Sequence, residues 1–149
     1  MATANSNYIL TKPKTTPPQR PLSSKTTFGL SIELMKGIKE FNASFQFVAI
    51  LTPHMLADPP HKHNDCDEIL FFISADPDNP HDLGGEMEIA LGDEWEKQVI
   101  NTSAVLCIPA GLTHCPVYAR RVDRPFYFGH VLLASSYGSS AIEETGISP

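Results

Sequence analysis

Six short segments of the chain carry hydrophobic patterns typical of β-strands, and turn-forming residues separate them. Each segment either is rich in aromatic and β-branched residues or alternates apolar with polar residues. The six segments are 28–34, 45–51, 68–74, 86–91, 104–109 and 126–133. Within 86–91, for example, Met87 and Ile89 fall on one face of a strand and Glu88 on the other.

Little of the remaining sequence favours helix. The segment 33–41 is the one plausible helix, and Gly37 weakens it. Short strands at this spacing, with so little helix, predict an all-β fold, either an antiparallel sandwich or a barrel. The loop at 75–85 is longer than such a scaffold requires, and long loops on compact β domains often serve as lids or binding loops.

The 149 residues fit a single domain with one core, preceded by an arm. Residues 1–27 are proline-rich, and proline lacks an amide donor and fixes φ, so this arm is expected to be extended. It is either a loose tail or an arm that crosses to a second subunit. Residues 28–149 form the single domain.

Composition and charge exclude several classes of partner. With 42% hydrophobic and 19% charged residues, the chain is an ordinary globular protein. Its net charge of -6 argues against nucleic acid and anionic membrane as partners. The polar N-terminus does not resemble a signal peptide, so a cytoplasmic location is expected. The three cysteines include no CxxC pair and are expected to be reduced thiols.

The stretch HKHNDCDE, at 61–68, concentrates ionisable side chains just before an apolar strand. His61 and His63 lie two residues apart, so in a strand they face the same side, which suits two imidazoles that bind one ion. Glu68 has the opposite parity, so it can face the same side as the two histidines only if residues 64–66 break the strand. The Asn-Asp pair at 64–65 favours a turn there. Asp65 and Asp67 are interpreted as solvated loop carboxylates.

A fourth candidate ligand, His114, follows a short strand and the turn Pro109-Ala110-Gly111. Together, HKHNDCDE and PAGLTH resemble the two motifs of the cupin superfamily: His-x-His followed by Glu, and Pro-x-Gly-x-x-His. All four metal-ligand positions of those motifs match residues in this chain, namely His61, His63, Glu68 and His114. The glycines that usually precede each motif are replaced here by Met55 and Ser103.

This resemblance implies a jelly-roll β-barrel (a double-stranded β-helix) that binds one divalent transition metal in its mouth. Neutral imidazole and carboxylate suit Fe(II), Mn(II), Ni(II), Co(II) or Zn(II), and we favour Fe(II). Four protein ligands leave up to two octahedral positions for water, substrate or dioxygen. The expected function is therefore a metal-dependent enzyme acting on a small organic molecule, first an Fe(II)-type oxygenase of an enolisable or phenolic substrate.

Two alternatives remain open at this stage. One is a redox-neutral isomerase, cyclase or decarboxylase that uses the metal as a Lewis acid, and the other is a non-catalytic cupin that binds a small ligand. His130 is the candidate catalytic residue, because it shares its strand face with Phe126, Phe128 and Leu132 and is either a core histidine or a pocket residue. His54 and His81 are expected at the surface.

The run 69–73 is apolar at every position, which predicts a strand buried on both sides. That is more apolar surface than the interior of a small barrel needs. A homodimer is therefore expected, in which a second subunit covers the surplus.

Overall fold

The computed structural model describes residues 24–30, 44–57, 59–133 and 140–141, and gives only the backbone of 24–30, 44 and 140–141. This part of the chain contains eleven strands and no helix. The strands are β1 (Ser24–Leu30), β2 (Ser44–Ile50), β3 (His54–Ala57), β4 (His61–Lys62), β5 (Asp67–Ser74), β6 (Asp82–Leu91), β7 (Glu96–Thr102), β8 (Ala104–Ile108), β9 (His114–Val122), β10 (Phe126–Leu133) and β11 (Ser140–Ala141). Within the described residues, no helix is long and apolar enough to cross a membrane.

The strands form two antiparallel sheets that enclose one core. The first sheet has the order β1-β2-β10-β5-β8, and the second has the order β11-β4-β9-β6-β7, with β3 also paired to β9. Completely buried side chains from both sheets meet between them, including Phe72 and Phe126 from the first and Met87 and Ile89 from the second. The expected all-β, jelly-roll architecture is confirmed.

In strand β5, alternate side chains face the core and the outer surface of the sheet. Leu70 and Phe72 are buried in the core, whereas Ile73 on the opposite face is 46% exposed. The prediction that this run is buried on both sides is therefore wrong for the single chain. One face packs against the second sheet, and apolar character at every position does not distinguish that face from the other.

Strand β9 is central to the second sheet, although the hydrophobic pattern did not predict it. It pairs with β6 on one side and with β3 and β4 on the other. Pro116 argues against a central strand, but it lies where the β6–β9 register shifts, between the pairs Ile89–Val117 and Leu91–His114. Strand β7 was also missed, because its sequence EKQVINT is mostly polar.

The predicted arm overlaps the first sheet. Its last four residues, 24–27, belong to β1, which pairs with β2 of the same chain. The rest of the arm and the predicted helix at 33–41 lie outside the described residues, so neither expectation is tested.

The loop 75–85 is shorter than predicted, because β6 begins at Asp82. It leaves β5 after Ser74, six residues beyond Glu68, which at about 3.3 Å per residue is roughly 20 Å away along the strand. Its backbone is tied locally, since Ser103 donates its hydroxyl to the carbonyl of Pro80 at 2.6 Å. This position does not support a lid over Glu68.

Candidate metal centre

The residues of the two motifs come from both sheets and meet at one end of the barrel. His61 in β4 is paired directly opposite His114 at the start of β9. Glu68 stands near the start of β5 in the facing sheet. Strand β4 ends at Lys62, and the turn that follows carries His63 and returns the chain to β5, so the predicted break at 64–66 is confirmed.

The glycine of the second motif has a specific structural role. Gly111 has φ +84°, a left-handed conformation that L side chains rarely adopt, and Leu112 N–H closes the turn onto the carbonyl of Pro109 at 3.1 Å. The N–H of Gly111 then donates to the carbonyl of His63 at 2.7 Å. The two motif loops are therefore joined through their backbones.

A second link between these loops involves Asp67. Its carboxylate Oδ1 accepts a hydrogen bond of 2.9 Å from the backbone N–H of Ala110. Asp67 is exposed, as the interpretation as a solvated carboxylate requires, but it is the first residue of β5 rather than a loop residue, and this hydrogen bond was not expected. Asp65 is exposed, as expected. Sequence distance concealed this contact, because the bonded groups are 43 residues apart.

His61, His63, Glu68 and His114 form one cluster of possible metal ligands. One donor atom from each residue lies within 4.8 Å of all the others. His63, Glu68 and His114 are buried, and His61 is half-buried. Oε2 of Glu68 lies 2.9 Å from Nε2 of His114 and 3.6 Å from Nε2 of His63. The structure thus brings together the four residues that the motifs nominate.

The hydrogen bonds of His61 and His114 show which ring atoms face the cluster. Nδ1 of His61 lies 3.0 Å from the carbonyl of Pro59, and Nδ1 of His114 lies 3.0 Å from that of Leu112. Because a carbonyl can only accept, each Nδ1 carries the proton in the neutral ring, which leaves a lone pair on Nε2. Such outer hydrogen bonds are typical of metal-binding histidines.

Two atoms of the cluster lack hydrogen-bond partners among the described residues. Nε2 of His114 and Oε2 of Glu68 are both buried and without a hydrogen bond. With Nδ1 protonated, their 2.9 Å separation sets two acceptors against each other. A buried arrangement of this kind needs a cation, which can be a proton or a metal ion. The donor set of imidazole nitrogen and carboxylate oxygen fits a divalent transition metal.

The electrostatics of the cluster favour an ionised Glu68. Burial raises the pKa of this carboxyl, but the neighbouring imidazoles of His114 and His130 outweigh it and lower the pKa to about 2. Burial lowers the pKa of the His114 imidazole, but Glu68 and the Leu112 carbonyl outweigh it and raise that pKa above 6.5. Burial holds the pKa of His61 below its ordinary value.

His130 contacts the cluster from β10. Its Nδ1 lies 3.1 Å from Oε1 of Glu68, and its side chain is 30% exposed. Phe126 and Leu132, which share its strand face, are buried, so the predicted inward orientation is confirmed. The position next to Glu68 suits an outer partner of a metal ligand, and its catalytic role stays a prediction.

Gln46 is a candidate that the sequence reasoning missed. It is paired with His130 in register between β2 and β10, so both side chains project from the same face of the first sheet. The available signal was a polar residue within the otherwise apolar segment FQFVAIL.

The remaining candidates lie outside the cluster. His54 bonds locally, with Nδ1 2.7 Å from the carbonyl of Thr52, and His81 is exposed. All three cysteines are free thiols, as predicted. Cys115 packs in the core, and Cys66 is buried near Leu132.

Comparisons with known proteins find likeness in structure alone. No protein-family model and no curated protein sequence matches the chain. Oxalate oxidase in complex with glycolate superposes with a TM-score of 0.60 at 17% identity, covering 93% of this chain and 65% of the other. Oxalate decarboxylase gives a TM-score of 0.54 at 16% identity, covering 86% of this chain and 30% of the other. Pumpkin seed globulin gives 0.54 at 13% identity, covering 80% and 28%.

The chain thus spans less than two thirds of the length of oxalate oxidase and under a third of the other two proteins. Likeness at such low identity establishes the fold and leaves the activity open. The fold and the placement of the two motifs agree with each other. The chain therefore has the jelly-roll fold of the cupin superfamily, with a three-histidine, one-glutamate cluster of metal-ligand type at one end of the barrel.

Proposed function

We propose that the protein is a metal-dependent enzyme that acts on a small organic molecule, with an Fe(II)-type oxygenase of an enolisable or phenolic substrate as the first candidate. The observation that carries the proposal is the convergence of four donor atoms, one each from His61, His63, Glu68 and His114, which all lie within 4.8 Å of one another. Three of these residues are buried, and buried ionisable groups are normally paired or bound to a metal ion.

The four donors would hold one divalent ion and leave up to two octahedral positions open, whereas purely structural sites are usually closed. When bound, such an ion supplies Lewis acidity and, for iron, redox chemistry with dioxygen. The protein's own groups set the conditions for this chemistry. His61 and His114 present Nε2 because backbone carbonyls occupy their Nδ1 protons.

His130 would have two tasks in this proposal. Through Nδ1 it holds Oε1 of Glu68, so that Oε2 alone points at the histidines. Its other ring nitrogen, Nε2, is the atom that would exchange a proton with a bound substrate, and the partial exposure of the side chain suits such a contact.

A redox-neutral isomerase, cyclase or decarboxylase is the second candidate, and the His130–Glu68 contact favours it. An imidazole beside the metal ligands can move a proton without any need for dioxygen. A non-catalytic ligand-binding role is the third candidate. The fold is shared with enzymes and with a seed globulin, so it does not separate the three.

The decisive experiment is metal analysis of protein purified from its native host, followed by oxygen-uptake measurements with candidate diketones and phenols. We expect about one iron per chain and substrate-dependent oxygen consumption. Stoichiometric iron without oxygen consumption by any such substrate rules out the oxygenase and leaves the redox-neutral and binding candidates. If no stoichiometric metal is present, the enzyme proposal fails as a whole.

A further inference from the structure

The outer face of the first sheet, on the side away from the core, is apolar across four strands. Facing pairs in the register lie side by side there: Phe45 with Val131, Val131 with Ile69, and Phe71 with Val105. We define the apolar face by six of its side chains. They are Phe45, Phe47, Phe71, Ile73, Val105 and Tyr127.

Aromatic rings in contact form the middle of the apolar face. The Phe45 ring lies 6.1 Å from Phe71 and stacks on it, and lies 5.7 Å from Phe47. Phe47 in turn meets the edge of Tyr127 at 5.8 Å. A Cβ on Gly129 would lie 2.2 Å from the Phe71 ring, so glycine at this position lets that ring lie against the sheet. Aromatic clusters of this kind are enriched at protein interfaces.

The second sheet is different on its outer side. Glu88 of β6 pairs there with Arg120 at 2.6 Å and with Lys97 at 3.4 Å. One chain therefore carries a charged, solvated sheet face and a second face that is aromatic and aliphatic in its centre, with the exposed Asp67 of β5 at its edge. Exposure is high at the rim of the apolar face, where Ile73 is 46% and Val105 is 65% exposed. Contiguous apolar surface of this kind marks a site of contact with another protein.

We propose that a second copy of this chain covers the apolar face, through symmetric packing of the two first sheets. Four strands about 4.8 Å apart, with about three outward rows each, present on the order of 300 Å² in projection. This suits the apolar centre of a standard interface, which buries about 800 Å² per partner with its polar rim.

Charge favours a second copy over an unrelated partner. Each chain carries a net charge of -6, so two copies repel each other unless they meet where neither is charged. The side chains that define the apolar face carry no charge, and a two-fold axis sets the same patch against itself. Two twisted sheets also pack face to face at about 10 Å, as in β-sandwiches.

The competing occupant is a segment of the same chain outside the described residues. Residues 1–23 are dominated by Thr, Ser, Pro and Lys, which are poor cover for aromatic rings. The segment 31–43 has more apolar residues, and the experiment must separate it from a second copy.

Sedimentation of the wild-type protein should be compared with that of Ile73→Lys, Val105→Lys and the control Val99→Lys. Val99 is 60% exposed on β7 of the second sheet, so the control adds the same charge at a similar exposure. Circular dichroism and thermal melting confirm that each variant is folded. Cys107 provides a second readout, because it is exposed on β8 in register with Ile69, whereas the other two cysteines are buried.

We expect a wild-type dimer in which Cys107 reacts slowly with a thiol reagent. Ile73→Lys and Val105→Lys should each raise the dimer dissociation constant on the order of 100-fold and expose Cys107, whereas Val99→Lys should do neither. A monomer with reactive Cys107 overturns the proposal, and so does a monomer with protected Cys107, which would identify cover by the chain itself. A dimer unaffected by both variants, or equally weakened by Val99→Lys, also overturns it.

Discussion

Nδ1 of His130 lies 3.1 Å from Oε1 of Glu68, across two neighbouring strands of the first sheet. The two oxygens of the Glu68 carboxylate therefore have different partners, because Oε2 faces His63 and His114. His130 is thus in position to orient a metal ligand without being one itself. This contact gives His130 a testable role, namely to orient the Glu68 carboxylate.

Removal of the His130 imidazole should weaken metal binding while leaving the four ligands in place. We expect His130→Leu to lower affinity for a divalent metal about 10–100-fold, as measured by competition with a chelator. His130→Asn, which keeps a donor near the position of Nδ1, should retain more of the affinity. The exposed His81→Leu serves as the control. Equal affinity in the wild type and His130→Leu would show that the contact does not support the site.

Glu68→Gln should have a larger effect than either His130 variant, because it removes the one negative charge of the cluster. We expect metal affinity to fall by more than about 100-fold, beyond the range of outer partners. Metal at 100 times its dissociation constant should stabilise the wild type by about 2.7 kcal/mol, and in Glu68→Gln the same metal concentration should add less than about 0.4 kcal/mol.

Thermal unfolding with and without metal measures that difference. Glu94→Gln changes an exposed carboxylate in the same way and should behave as the wild type. A Glu68→Gln protein with an undiminished metal-dependent shift in melting temperature would remove Glu68 from the ligand set.

Asp67→Ala should loosen the link between the two motif loops. The carboxylate accepts the Ala110 N–H, and loss of one such bond costs about 1 kcal/mol of stability. Because that loop also places His114, metal affinity should fall several-fold. Asp65→Ala is a matched control two residues away, and titration calorimetry should show no change for it. Indistinguishable Asp67→Ala and Asp65→Ala proteins would contradict the linking role.

Metal affinity should rise with pH through and above 6.5. Glu68 and the Leu112 carbonyl raise the pKa of His114, so a proton occupies Nε2 and competes with the metal until the pH exceeds that raised value. In the metal-free protein the sign is opposite. The His114–Glu68 attraction contributes stability that is fully present below pH 6.5 and is lost as the pH rises through the raised pKa.

Dissociation constants at several pH values, with proton release measured by calorimetry, test this expectation. The dependence should flatten in His114→Gln, which binds metal more weakly and has no such proton to displace. A metal affinity that is constant between pH 6 and 8 would contradict the competition at Nε2 of His114.

The sequence by itself nominated the four residues of the candidate metal-ligand cluster. The turn at 64–66 and the offset of His114 from Gly111 are local properties, and local geometry carries them into the fold. The expected strand parity of His61 and His63 is not seen, because β4 ends at Lys62 and His63 reaches the cluster from the turn. Six of the strands were likewise predicted, because alternation of apolar and polar residues and runs of β-branched residues are properties of short sequence segments.

Only the tertiary structure decided how these local pieces meet. It placed Asp67 on Ala110, set His130 against Glu68, and made β9 central despite Pro116. It also determined which face of the apolar strand β5 packs in the core and which face lies on the outer side of the sheet. These outcomes depend on which strands become neighbours, and pairing between distant segments is fixed by burial and register across the whole sheet rather than by any short stretch of sequence.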